Sequence, residues 1–286
     1  MTALTMHKLH ATGNDFLVCE TGVASPDVVA RVCNRHTGVG ADGLIVLGAP
    51  ATPDADCSMT LSNADGGEAE MSGNGIRCLA WVAHRRGYGD GKRLVVDTAA
   101  GRREVDLDVD PDTGDVRAAT VDMGPVTFEP SEIPLDALSP FGLTATFHGT
   151  RYEGDAAGMG NPHFVIVRDE HPRTARVTQH GPHLELDKRF PNRTNVEFVA
   201  ATDGEEDAVD MRVWERGVGE TLSCGTGACA AAAVAHRRGL VGERVTVHVP
   251  GGDLVVELGP TIRLGGPVVH VFDTTIEVGD DGSTRS

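Results

Sequence analysis

Two segments of this chain are near copies of each other. "SGNGIRCLAWVAHRRG" (Ser72–Gly87) and "CGTGACAAAAVAHRRG" (Cys224–Gly239) lie 152 residues apart (224 − 72), and nine of their sixteen positions match. A second likeness runs in the same order. "ATGNDFLVC" (Ala11–Cys19) resembles "GMGNPHFVIV" (Gly158–Val167), each a Gly-Asn followed by an aromatic strand. Matching segments in matching order mean one supersecondary unit built twice, not a many-copy solenoid. Two alike domains facing each other would set equivalent segments on opposite walls of one cleft. The copies differ at their first position, Ser72 in one and Cys224 in the other.

The elements between these segments repeat as well. "LTMHKLHA" and "NDFLVCE" read as strands around a turn at Gly13-Asn14. "SPDVVARVCN" reads as a helix, with Ser25 as N-cap and Pro26 at its first position. "GLIVLGAP" and "CSMTLSNADG" read as strands, and a helix over 74–86 is stopped by Gly87. "RLVVDTAAGRREVDLDVDPDTGDVRAATVDMG" reads as β-hairpins. The second half follows with a helix near 173–186, strands "TNVEFVAA" and "AVDMRVWE", and a helix over 226–238. "RVTVHVPGGDLVVEL" and "PVVHVFDTTIEV" close the chain, and the last strand, lacking a counterpart, is expected to return to the first domain. The expected domains are 1–121 plus 267–280, carrying Ser72, and 122–266, carrying Cys224, with a flexible tail at 281–286.

Composition narrows the function. The 36 glycines exceed the usual share of about 7%, which fits tight turns and close backbone approach to a ligand. A net charge of −17 argues against nucleic acid or an anionic membrane as partner. It leaves room for a small anionic substrate in a locally positive pocket. No stretch approaches the roughly 20 apolar residues of a membrane helix, and the N-terminus does not read as a signal peptide. Six scattered cysteines form no disulfide framework, so a reduced, cytoplasmic protein is expected.

Each repeated helix opens on Gly-x-Gly. Unpaired N–H groups at a helix start carry partial positive charge, and glycines let an anion come close. One such turn reads best as a tight strand-to-helix connection. Two, each headed by a nucleophile-type residue, read as paired anion seats. "AHRRG" at the helix ends is ordinary C-terminal chemistry. "GVGADG" (Gly38–Gly43) lies after a helix and before a strand, the reverse of a dinucleotide turn. His180 and His183 are too isolated for a zinc cage, as are Cys224 and Cys229, so no metal is expected. Cys224 stands at a helix N-terminus, where a thiol pKa is expected to fall from about 8.5 toward neutrality. Asn14, Asn63, Asn161 and Asn195 sit in loop-like stretches at matching places, as amide ligands for a polar molecule would.

Six motifs in series then carry a resemblance. "HATGNDFLV", "NRHTGVGADGLI", "NADGGEAEMSGNGIRC", "GNPHFVIV", "RTNVEFV" and "WERGVGETLSCGTGACAAAAVA" resemble the diaminopimelate epimerase family in order and spacing. The resemblance implies an α+β fold of two pseudo-symmetric domains, each a mostly antiparallel sheet wrapped around a central helix. It implies interconversion of LL- and meso-diaminopimelate for lysine and peptidoglycan synthesis, with neither pyridoxal phosphate nor metal, in a homodimer. By motif, Cys224 matches the second family cysteine with Glu215 as its acid/base partner, and His163 matches the partner of the first. Asn14, Asn63, Asn161, Asn195, Glu215 and Arg216 match substrate contacts. Gly73-Asn74 and Gly225-Thr226 match the donors to the reacting carboxylate. The departure is Ser72, where the family has cysteine. Three accounts stay open: a working epimerase using Ser72 with His163, a changed reaction, or an engineered substitution. The alternative reaction is that of a related cofactor-independent epimerase or dehydratase, acting on a proline-type amino acid with a serine and cysteine pair.

Overall fold

The computed structural model describes residues 2–20, 25–278 and 284–285. The chain forms two compact units, Met1–Val121 with Gly266–Ser286, and Asp122–Gly265. The first holds strands β1 Thr2–Ala11, β2 Asn14–Cys19, β3 Gly43–Gly48, β4 Cys57–Asn63, β5 Glu68–Ala69, β6 Arg93–Thr98 and β7 Gly101–Val109, and β8 Val116–Gly124 runs out of it. Its helices are α1 Pro26–Cys33 and α2 Gly73–Arg85. The second holds β9 Leu143–Phe147, β10 Thr150–Gly158, β11 Pro162–Val167, β12 Asn195–Ala201, β13 Ala208–Glu215, β14 Gly219–Thr221, β15 Arg244–Val249, β16 Gly252–Glu257 and most of β17 Ile262–Pro267. Its α-helices are α3 Val177–Glu185 and α4 Gly225–Arg237. Strands β18 Val269–Val278 and β19 Thr284–Arg285 belong to the first unit.

The two units share one pairing scheme. In the first, β1–β2 is antiparallel, β2–β3 parallel, β3–β4 antiparallel and β4–β6 parallel. In the second, β10–β11, β11–β12, β12–β13 and β13–β15 run in the same senses. Thus the sequence repeat is a repeat of topology. The architecture is α+β. β1 takes β18 as its other neighbour, whereas β10 takes β9.

Each sheet wraps a helix that is buried nearly all round. In α2, residues Gly73 to Ala83 are buried, and in α4 so are Gly225 and the stretch from Gly227 to Ala235. A helix without a polar face belongs inside a core, not on a surface. The alanine run of α4 lets the strands close around it. Cations gather at the outer ends. Arg86 pairs with Glu20, and Arg238 with Asp155 at 2.9 Å. Gly87 and Gly239 then reverse the chain at φ +79° and +73°.

Several boundaries differ from the sequence reading. α2 and α4 each begin and end one residue earlier than expected. The reason is that Ser72 and Cys224 are extended N-caps, and the following glycine is already helical. The first turn is Thr12-Gly13, both at positive φ, and Asn14 opens β2. The front of the expected 173–186 helix is a separate 3-10 turn at Pro172–Thr174. The hairpin β9–β10 and strand β17 were not anticipated. His148 and Gly149, at φ +46° and +77°, form the two-residue loop of that hairpin, a turn signal of the usual primed kind. Of the expected tail, residues 281–283 and 286 lie outside the described residues, and Thr284–Arg285 pair with β18.

Candidate active site

The start of α2 is a cap. Ser72 Oγ accepts the Gly75 N–H at 3.0 Å, the usual role of serine at an N-cap. Its own hydroxyl proton remains to be donated. Asn74, buried in the first turn, donates to Asn14 Oδ1 at 3.1 Å and accepts from Arg77 at 2.8 Å. Asn14 in turn donates to Asp42 at 2.7 Å. Asp42 and Asp15 share Arg35, and Asp15 also takes Lys8. Burial acts to raise the Asp15 carboxyl, but hydrogen bonds from Arg35 and Lys8 outweigh it and hold the group at about 2. This charged frame fixes the Asn14 amide. Asn63 lies exposed at the end of β4, its backbone closing the turn to Gly67 at 2.8 Å.

The start of α4 brings together the site residues expected in the second unit. Cys224 caps the helix with its sulfur 3.6 Å from Thr226 Oγ1. β13 ends at Glu215, which takes a hydrogen bond from the Thr221 hydroxyl. The backbone N–H of Arg216 donates to Asn195 Oδ1 at 2.9 Å, and Asn195 donates to the Pro162 carbonyl at 3.1 Å. His163 is fully buried on β11. Its Nδ1 lies 2.7 Å from Glu197 Oε1 and its Nε2 2.8 Å from Asn161 Oδ1. The parallel register sets His163 opposite Asn195, and the period of two puts Asn195 and Glu197 on one face of β12. The structure therefore gathers Asn161, His163, Asn195, Glu215, Arg216, Cys224, Gly225 and Thr226 in the second unit. Asn14, Asn63, Ser72, Gly73 and Asn74 belong to the first.

The expected lowering of the Cys224 pKa is reversed. Burial pushes the thiol well above its ordinary value, and the Glu215 and Glu197 carboxylates push it further. The Thr226 hydroxyl and the Gly227 amide oppose this and lose. The helix-start argument alone omitted the cost of charging sulfur away from water between two acids. Burial likewise raises Glu215, against the hydrogen bonds from Thr221 and Cys224. The pair thus rests as a thiol beside a carboxyl group able to take its proton. The other cysteines are ordinary core residues, with Cys57 and Cys78 raised to about 12, chiefly by burial.

Sequence reasoning missed Glu197 and Glu185. Glu197 is wholly buried, in a strand that read as core. Glu185, at the end of α3, accepts from Trp214 Nε1 at 2.8 Å and from Gly217 N at 3.0 Å, and so ties down the turn after Glu215. His180 and His183 are packing residues. His180 bonds the Tyr152 hydroxyl at 2.6 Å, and His183 stacks on Phe147. Elsewhere in the first unit, one Asp273 oxygen lies 2.7 Å from a ring nitrogen of both His7 and His270, a set of metal-ligand types whose members already bond one another. Among the described residues no helix is long and apolar enough to cross a membrane.

The sequence model of the diaminopimelate epimerase family matches residues 6–129 and 156–265. The chain belongs to the diaminopimelate epimerase family. It is 42% identical over 275 residues to the diaminopimelate epimerase of Pelotomaculum thermopropionicum, covering 93% of this chain and 96% of that one. With the diaminopimelate epimerase of Azotobacter vinelandii it shares 40% over 283 residues, 96% and 99% of the two chains. Among solved structures, a hydroxyproline epimerase from Agrobacterium vitis with bound trans-4-hydroxy-L-proline matches at TM-score 0.72. Its identity is 16%, and the match covers 96% of this chain and 92% of that one. A phenazine biosynthesis protein from Bacillus anthracis matches at TM-score 0.69 and 15% identity, over 97% and 100% of the chains. At such identities these structures speak for the fold, which diaminopimelate epimerase relatives and proline-type epimerases have in common.

Proposed function

We infer that this chain interconverts LL- and meso-2,6-diaminopimelate by removing and returning an α-proton. The observation that carries the reading is the Cys224–Glu215 pair at the start of α4, beside Asn195 and Arg216. A thiol that is fully buried cannot stay charged at rest. Beside a carboxyl that takes its proton, it can act as base on one isomer and as acid on the other. The Gly225-Thr226 and Gly73-Asn74 amides are assigned to the reacting carboxylate, where they offset charge developing as the proton leaves. Asn14, Asn63, Asn161, Asn195, Glu215 and Arg216 are assigned to the remaining polar groups of the substrate.

Inversion needs a proton-handling group for each face of the α-carbon. Cys224 with Glu215 is assigned to one face, and Ser72 with His163 to the other. A hydroxyl is a far weaker acid than a thiol, so Ser72 needs the imidazole. Ser72→Cys is therefore expected to raise the epimerisation rate at least about tenfold, measured by chiral separation of the diaminopimelate isomers. An unchanged rate removes Ser72 from this role. The same assay decides the substrate: equilibration of diaminopimelate supports the reading, and turnover of trans-4-hydroxyproline alone overturns it.

The assembly is proposed as a homodimer. Val269, Val271 and Phe272 of β18 leave apolar surface exposed by 44%, 52% and 42%, as a strand awaiting a second copy would. Sedimentation velocity checks this, a monomer at micromolar concentration being the contrary result. No disulfide links the six cysteines among the described residues, and the proposed setting is the reducing cytoplasm.

A further inference from the structure

Glu197 stands out because nothing in packing or folding needs it there. It is fully buried on β12, on the strand face that also carries Asn195 and Val199. One oxygen meets His163 Nδ1 at 2.7 Å. The other, Oε2, has no hydrogen-bond partner among the described residues. A buried carboxylate with a bare oxygen is costly, and an apolar residue would fill the space at less expense. The approach of α4 is also adapted to it. A Cβ on Gly227 would fall 2.8 Å from Glu197 Oε1 and 3.3 Å from Cys224 Sγ. Only a glycine in that turn lets the acid and the thiol sit as they do.

The hydrogen bonds of His163 constrain which nitrogen does what. Burial raises the Glu197 carboxyl and the bond to His163 opposes this; a charged carboxylate only accepts, so with Glu197 ionised Nδ1 carries the proton. At Nε2 the partner is an amide, which can be turned either way. With the Asn161 oxygen facing it, Nε2–H donates; with the amide reversed, the Asn161 N–H donates to a bare Nε2. The Nδ1 proton is present in both arrangements, and the Nε2 proton alone comes and goes. We propose that Glu197 is a positioning residue that locks the Nδ1–H tautomer of His163 and so makes Nε2 the atom through which His163 passes its proton. This rests on the epimerase reading for its role in turnover, and not for the tautomer itself. The arrangement follows the logic by which a buried acid orients a catalytic histidine elsewhere.

The test uses Glu197→Gln, which keeps shape and removes the obligate acceptor. In ¹⁵N-histidine spectra of the whole protein, His163, assigned with His163→Gln, is expected to show Nδ1–H in the wild type and a lost or mixed Nδ1–H signal in Glu197→Gln. In the diaminopimelate assay, kcat is expected to fall about 10²-fold with KM changed less than threefold. Glu197→Asp should recover part of the Nδ1–H signal. An unchanged tautomer in folded Glu197→Gln overturns the proposal whatever the substrate proves to be. A loss confined to KM overturns its role in proton transfer. Absence of any diaminopimelate turnover in the wild type, with the tautomer shift intact, overturns the functional reading and leaves the positioning role standing.

Discussion

Cys224→Ala is expected to abolish epimerisation, with a loss of about 10⁴-fold or more in kcat and little change in folding. Alanine fits the buried cap position, because the thiol makes no capping hydrogen bond. What disappears is the only group at that helix start able to carry a proton to and from carbon. Glu215 cannot replace it, since its work is to take the thiol proton. For the same reason activity is expected to fall on the acid side. Burial holds the Glu215 carboxyl above its ordinary 4.5, so it protonates, and loses its capacity to accept, at a pH above that of a free glutamate. A kcat/KM profile measures this limb, and Glu215→Gln should remove it along with most of the rate. Residual activity above a tenth of wild type in Cys224→Ala would place the chemistry elsewhere.

Gly181→Ala carries the largest expected cost to stability, about 3 kcal/mol, read from denaturant unfolding. α3 packs on β13 so closely that a Cβ here would meet three atoms of Trp214 at 2.6–2.8 Å. Either the helix or the indole must move. Trp214 donates to Glu185, and Glu185 also holds Gly217, so the displacement reaches the turn that carries Glu215 and Arg216. A fall in substrate affinity is therefore expected alongside the lost stability. A variant with wild-type stability would show that the contact relaxes without cost.

The sequence disclosed the fold through its repeat. Gly-x-Gly before a mostly apolar helical run, twice, at one spacing, located α2 and α4 within one residue, because glycine, cap and helical periodicity all agree there. The Gly-Asn-aromatic pattern likewise located β2 and β11. Hairpin β9–β10 went unread although Leu143, Ala145 and Phe147 alternate with Thr144 and Thr146 in strand fashion, because the first unit has no matching hairpin at that place. The acid–base cluster was half legible. Cys224, Glu215 and His163 lie in recognisable motifs. Glu197 lies in "RTNVEFV" as well, but one acid in an apolar strand carries no spacing signal of its own, and its partner is 34 residues away. The direction of the Cys224 shift was unreadable for a related reason. The helix start is local in sequence, whereas the burial and the second carboxylate that outweigh it are tertiary.

Early turnover in D₂O tests the central claim most directly. LL-diaminopimelate is incubated with the wild-type protein, and deuterium at the α-carbon is followed separately in recovered substrate and in product. Two proton carriers of different identity, Cys224 for one face and the serine–histidine pair for the other, predict that the meso product acquires solvent deuterium from the first turnovers. Recovered LL substrate should stay protiated over the same interval. Deuterium appearing equally in recovered substrate, or exchange without inversion, would contradict the account.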